Sequence, residues 1–144
     1  MTVDEHDDAL VDLWNAVVRP GDVVWHLGDF AYKTKRHPQE HFRRLNGVKH
    51  LVMGNHDGNA VTSREWASVQ DTAEIVVDSV RLFLAHYPHL EWPRYWRQSV
   101  HLFGHVHGNR EGVGRSCDVG VDAWSYRPVT LDEIMQKLGD RENA

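Results

Sequence analysis

Residues 51–60 read LVMGNHDGNA. Leu51, Val52 and Met53 run into Gly54, and Asn55, His56 and Asp57 follow together before Gly58. A short apolar run closed by glycine reads as a buried strand. The amide, imidazole and carboxylate at its end are groups that bind metals or carry protons. The flanking glycines permit the backbone turns that bring such side chains close together.

The pattern recurs along the chain. DVVWHLGDF (22–30) gives a strand over 23–27 that stops at Gly28, before Asp29. AEIVVDSVRLFLAHYP (73–88) reads as two strands around a tight turn at Asp78-Ser79, the second leading to His86. SVHLFGHVHG (99–108) is a strand ending at Gly104, with His105 and His107 beyond it, and SCDVGVDAW (116–124) is one more. Helical spacing fills the gaps: 3–18, acidic in its first turn and ended by Pro20-Gly21, a short helix over 38–47, and 130–139 behind a capping Thr130. SREWASVQ (63–70) is read as a helical turn. Strands alternating with helices predict a layered α/β fold, and sites in such folds form beyond the carboxyl ends of strands. With no linker or repeat, 1–144 is read as a single domain.

Composition narrows the function. Apolar residues at 41% and charged residues at 26% are globular values. A net charge of −5 argues against tight binding to a polyanion, which needs a basic face. A small phosphate ester stays open if a metal supplies the positive charge. No apolar run reaches the ~18 residues of a membrane span. The acidic start is unlike a signal peptide, and the single Cys117 fits a reducing compartment, so a cytoplasmic location is expected.

Eleven histidines make position the deciding evidence. Asp29, Asn55, His86, His105 and His107 offer a mixed oxygen and nitrogen set, which suits Mn, Zn, Fe or Ni better than Ca or Mg. A carboxylate such as Asp29 can bridge two cations ~3.5–4 Å apart. Any one of these residues alone reads as an ordinary polar loop residue. Their order, each after an apolar strand, carries the signal.

That order, GDF, GNHD, the lone His of LAHYP and GHVHG, resembles the calcineurin-like metallophosphoesterases over about 22–124. The resemblance implies a sheet sandwich flanked by helices. Asp29 would bridge two metals, with Asn55, His86 and His105 completing the second site and His107 belonging to the first. His56 would protonate the leaving oxygen or hold the phosphate, and Asp57 would orient His56. The implied activity is hydrolysis of a phosphate ester by a metal-bound hydroxide, with Mn as the first choice of cofactor. A small nucleotide-like or cyclic phosphodiester is the preferred substrate.

The family pattern opens with a strand ending in Asp-x-His, and no such strand precedes GDF here. Asp4 and His6 are read as a solvated helix start. The domain is therefore expected to lack its first strand and to hold its first metal weakly, and an unpaired edge allows a homo-oligomer. The alternative is a metal-binding scaffold with weak or no catalysis. A nuclease acting on long polymers is disfavoured by charge. In HLEWPRYW (89–96), His89 and Arg94 are candidate substrate contacts, while the tryptophans read as packing. His26 reads as structural, and His37, His41 and His50 as surface residues on or beside a helix.

Overall fold

Acids at the start of an apolar stripe through Leu10, Val11 and Trp14 produce the first helix, α1 (Val3–Val17). Asp4 and His6 fall inside it. The computed structural model describes residues 3–29, 38–106, 109, 112–120, 123–124 and 126–142. It divides into two compact units, Met1–Asp71 and Thr72–Ala144.

In the first unit α1 is followed by β1 (Val23–His26), α2 (Pro38–Arg44), β2 (Val48–Val52), α3 (Asn59–Thr62) and β3 (Ser68–Gln70). The three strands form a parallel sheet in the order β1-β2-β3, so β1 is an outer strand among the described residues. Val11, Trp14 and Val18 pack with Leu45, Leu51 and Val61, which buries one stripe of α1 against the sheet. Trp14 Nε1 donates to Asn46 O at 2.9 Å and Asn15 Nδ2 to Arg44 O at 2.7 Å, tying α1 to the end of α2. Lys49 is buried on β2. Its Nζ donates to Leu45 O at 2.8 Å and lies over the Phe42 ring, and burial pushes its pKa down.

Two expectations are corrected in this unit. The helical turn read at 63–70 sits earlier, as α3, and Ser68–Gln70 is a strand paired with β2 through Leu51↔Val69. A three-residue strand has too little pattern of its own; its partner defines it. His50 is not beside a helix. It lies on β2, stacked on Trp25 with ring centroids 4.3 Å apart and 2.6 Å from Ser68 Oγ. His26 is structural as read: its ring stacks on Trp14, and its Nδ1 accepts from Gly28 N–H at 3.2 Å.

The second unit opens with an antiparallel hairpin, β4 (Thr72–Val77) and β5 (Val80–Ala85). Its turn residues Asp78 and Ser79 both take positive φ, 48° and 67°, as a two-residue hairpin turn requires. A short 3₁₀ turn (Tyr95–Arg97), β6 (Val100–Phe103), β7 (Ser116–Asp118) and α4 (Leu131–Glu142) follow. The sheet order is β4-β5-β6-β7, with β5, β6 and β7 parallel. The cap of α4 forms as read, with Glu133 N–H donating to Thr130 Oγ1 at 3.3 Å and Thr130 N–H to Glu133 Oε1 at 3.1 Å. Parallel and mixed sheets with flanking helices make an α/β fold compatible with the expected sheet sandwich. Among the described residues, no helix is long and apolar enough to cross a membrane.

Arg141 of α4 holds the loop before β7 by donating to the carbonyls of Gly112, Gly114 and Ser116 at 3.2, 2.8 and 2.6 Å. Gly112 has φ +100°, and an added Cβ would meet Ser116 O and Oγ at 2.6 Å. Gly112→Ala should therefore cost about 3 kcal/mol, from left-handed strain plus overpacking. Urea unfolding checks this: a midpoint equal to that of the parent would show that the loop yields freely.

Candidate functional site

Each unit places candidate residues beyond the carboxyl ends of its parallel strands. In the first unit β1 is followed by Gly28 and Asp29, both left-handed, at φ 101° and 57°. This backbone is ordinary for glycine, but for Asp29 it costs about 1 kcal/mol and must be held in place. The loop after β2 supplies the hold. Asp57 Oδ2 accepts from Asp29 N–H at 2.7 Å and from Gly54 N–H at 2.8 Å, while Asp29 Oδ1 accepts from His56 N–H at 2.9 Å. The two loops clamp each other through their carboxylates. Asp57 Oδ2 thereby joins the two loops. Asn55 Nδ2 and His56 Nε2 lie 3.1 Å apart on the exposed side of the turn.

In the second unit the pairing of β5 with β6 continues one step past the strands, with Gly104 N–H donating to His86 O at 3.0 Å. His86 and His105 therefore emerge side by side. His86 is 3% exposed, and His105 is exposed, with φ 67°. His86 Nε2 and His105 Nδ1 are 3.1 Å apart. Two nitrogens bound at ~2.0–2.1 Å to one tetrahedral ion sit ~3.3 Å apart by simple geometry. The two nitrogens are thus within hydrogen-bond distance of each other and ~0.2 Å short of the spacing of two imidazoles sharing a cation. The Tyr87 ring lies against both, with centroids 4.9 Å from His86 and 4.6 Å from His105.

Behind this pair sits a histidine that the sequence did not single out. His101 on β6 is fully buried. Its Nε2 accepts from His89 N–H at 3.0 Å, so Nδ1 carries the proton and donates to Phe83 O at 3.1 Å. Burial holds its pKa down at about 4. The bond to His89 pins the segment that begins with His86. An imidazole inside an apolar strand gives no local sign of this task; only the strand register reveals it.

His89 is exposed, with Nδ1 2.9 Å from Tyr87 O. Arg94 opens the 3₁₀ turn at φ 61° and lines a shallow cavity with Glu74, Arg81 and Ser99. That cavity lies where β5 and β6 begin. Five residue steps separate Arg81 from His86, ~17 Å of rise, so Arg94 is not brought to the His86 end. Trp92 is buried on Phe83 and Ala85 as packing, and the Cys117 thiol is buried, 3.5 Å from Asp118 O. His107 lies outside the described residues, as does His37.

No protein-family model matches the chain. It is 28% identical over 146 aligned residues to an uncharacterized protein of Methanocaldococcus jannaschii, covering 94% of this chain and 77% of that protein. It is 26% identical over 173 residues to the gene 66 protein of Mycobacterium phage D29, covering 97% and 86%. Among solved structures, a protein of unknown function from Aquifex aeolicus matches with a TM-score of 0.73 at 25% identity, over 94% of this chain and 87% of that one. An archaeal phosphodiesterase matches with a TM-score of 0.59 at 20% identity, over 81% and 76%. At that identity, the second likeness is one of fold.

Proposed function

We propose that the protein is a metal-dependent phosphoesterase of the calcineurin-like kind, acting as a phosphodiesterase on a small nucleotide-like or cyclic phosphodiester. The observation that carries this reading is the 3.1 Å spacing of His86 Nε2 and His105 Nδ1 at the ends of neighbouring parallel strands. The fold likeness to an archaeal phosphodiesterase supports it. The family resemblance adds Asp29 to these two histidines, and one carboxylate with two imidazoles is a donor set that suits a divalent transition metal. In this reading Asn55 completes that set, and His107 serves a second ion.

A divalent metal, Mn before Zn, Fe or Ni, supplies Lewis acidity that activates water and offsets charge on the phosphate oxygens. The chain supplies the rest. His56 donates a proton to the leaving oxygen, and the clamp between Asp29 and the 54–57 loop fixes the backbone that carries it. With a net charge of −5, the substrate in this reading is a small ester rather than a polymer.

The test is hydrolysis of bis(p-nitrophenyl) phosphate by Mn-loaded protein, with and without chelator, beside His56→Ala. Turnover should require metal. His56→Ala should lower kcat by ~10²–10⁴ with metal content unchanged. Turnover that survives the chelator defeats the reading. Metal bound without turnover replaces it with a metal-binding scaffold.

A further inference from the structure

We propose that Tyr87 is a positioning residue that sets the orientation of the His86 and His105 imidazoles for a shared cation, an inference that rests on the metal-site reading above. Neighbouring residues in a strand point to opposite faces, so Tyr87 would ordinarily turn away from His86. Here β5 ends at Ala85 and the chain bends at 86–87. The Tyr87 ring folds back to lie at 78° to His86 and 60° to His105. The imidazoles are themselves 69° apart, so His86 meets both other rings edge to face while Tyr87 and His105 are tilted on each other. Such angles place the positive edge of one ring near the electron-rich face of another, the favoured aromatic geometry.

Burial does not explain the placement, because Tyr87 remains 47% exposed. The chain commits a large aromatic ring to two imidazoles at the edge of solvent. A cation on those nitrogens draws electron density from both imidazoles, which strengthens their attraction to a neighbouring π face. The contact therefore favours the loaded state. It also restricts ring rotation in the free protein, the service that groups around metal-binding histidines commonly provide. The ring performs this function, and the hydroxyl is not required for it.

The experiment is titration calorimetry of the full chain with Mn, for the parent, Tyr87→Phe and Tyr87→Ala. Co absorption spectra serve as a second readout of ligand geometry. Tyr87→Ala should weaken Mn binding about 10-fold and shift the Co bands, while Tyr87→Phe should stay within about 2-fold of the parent. In chelator, the urea midpoints of all three should coincide, because a half-exposed ring carries little of the core. Parent-like binding by Tyr87→Ala overturns the inference and leaves the metal site standing. Equal loss in Tyr87→Phe also overturns it, by assigning the effect to the hydroxyl. A parent chain that binds no Mn removes the metal-site reading itself.

Discussion

His86→Ala is expected to lose metal and turnover together, with Mn affinity falling at least about 100-fold, beyond the usual effect of a group that only supports a ligand. His86 is buried at the end of β5, and its Nε2 faces His105 Nδ1. Removing it leaves one nitrogen where two converge. The companion variant is His105→Gly, because His105 is a non-glycine residue at φ 67°. Glycine relieves that strain but loosens the unfolded chain, two effects of about 1 kcal/mol that nearly cancel. His105→Gly should therefore unfold within about 0.5 kcal/mol of the parent in chelator while losing metal as severely as His86→Ala. Calorimetry with Mn and urea unfolding in chelator read the two quantities separately. A His105→Gly protein that keeps Mn affinity would remove His105 from the site.

Asp29 and His105 share a backbone trait that no composition or periodicity announces. Both are left-handed without being glycine, at φ 57° and 67°, and each directly follows a glycine at a strand end. Strain of this kind persists only where surrounding structure enforces it. For Asp29 the enforcement is visible in the bonds to Asp57 and His56. The glycines and the donors were legible in the sequence because apolar runs ending in Gly-Asp, Gly-Asn and Gly-His are local patterns. The strand ends, the Asp78-Ser79 hairpin and the Thr130 cap were legible for the same reason.

What escaped is non-local. Ser68–Gln70 is a strand because β2 pairs with it, and its three residues carry no alternation long enough to read. His50 is half-buried because Trp25 on the neighbouring strand stacks on it. Asp57 bonds to the backbone of Asp29, 28 positions away, a link that spacing within GNHD does not suggest. Arg94 is only eight positions from His86 in sequence, 94 − 86 = 8. The fold nevertheless sets it beside Arg81 and Ser99, at the opposite end of β5.

His101 should make stability fall as the solution is acidified from neutral, over a window set by its burial. In the folded protein its pKa is about 4, against an ordinary 6.5, because its surroundings disfavour the charged ring and His89 adds repulsion. Above pH 6.5 the ring is neutral in both folded and unfolded chains, and its full contribution is present. As pH falls below 6.5, the unfolded chain takes up a proton that the folded chain refuses, so stability drops until about pH 4. The span is 6.5 − 4 = 2.5 units, or about 3 to 4 kcal/mol at roughly 1.4 kcal/mol per unit. Glu133, held near 2 by the Arg127 guanidinium, is lost only in a lower window, below its ordinary 4.5. Urea unfolding at pH 7.5, 6.5, 5.5 and 4.5 isolates the histidine. His101→Asn should be weaker than the parent by about 2 kcal/mol at pH 7.5, since it opens space and weakens the bonds to Phe83 O and His89 N–H. Its further loss down to pH 4.5 should be markedly shallower than the parent's. Parallel pH profiles for the two proteins would mean that His101 takes up its proton in the folded state as readily as in the unfolded one. The neutral ring would then not be what holds the His86–His89 segment in place.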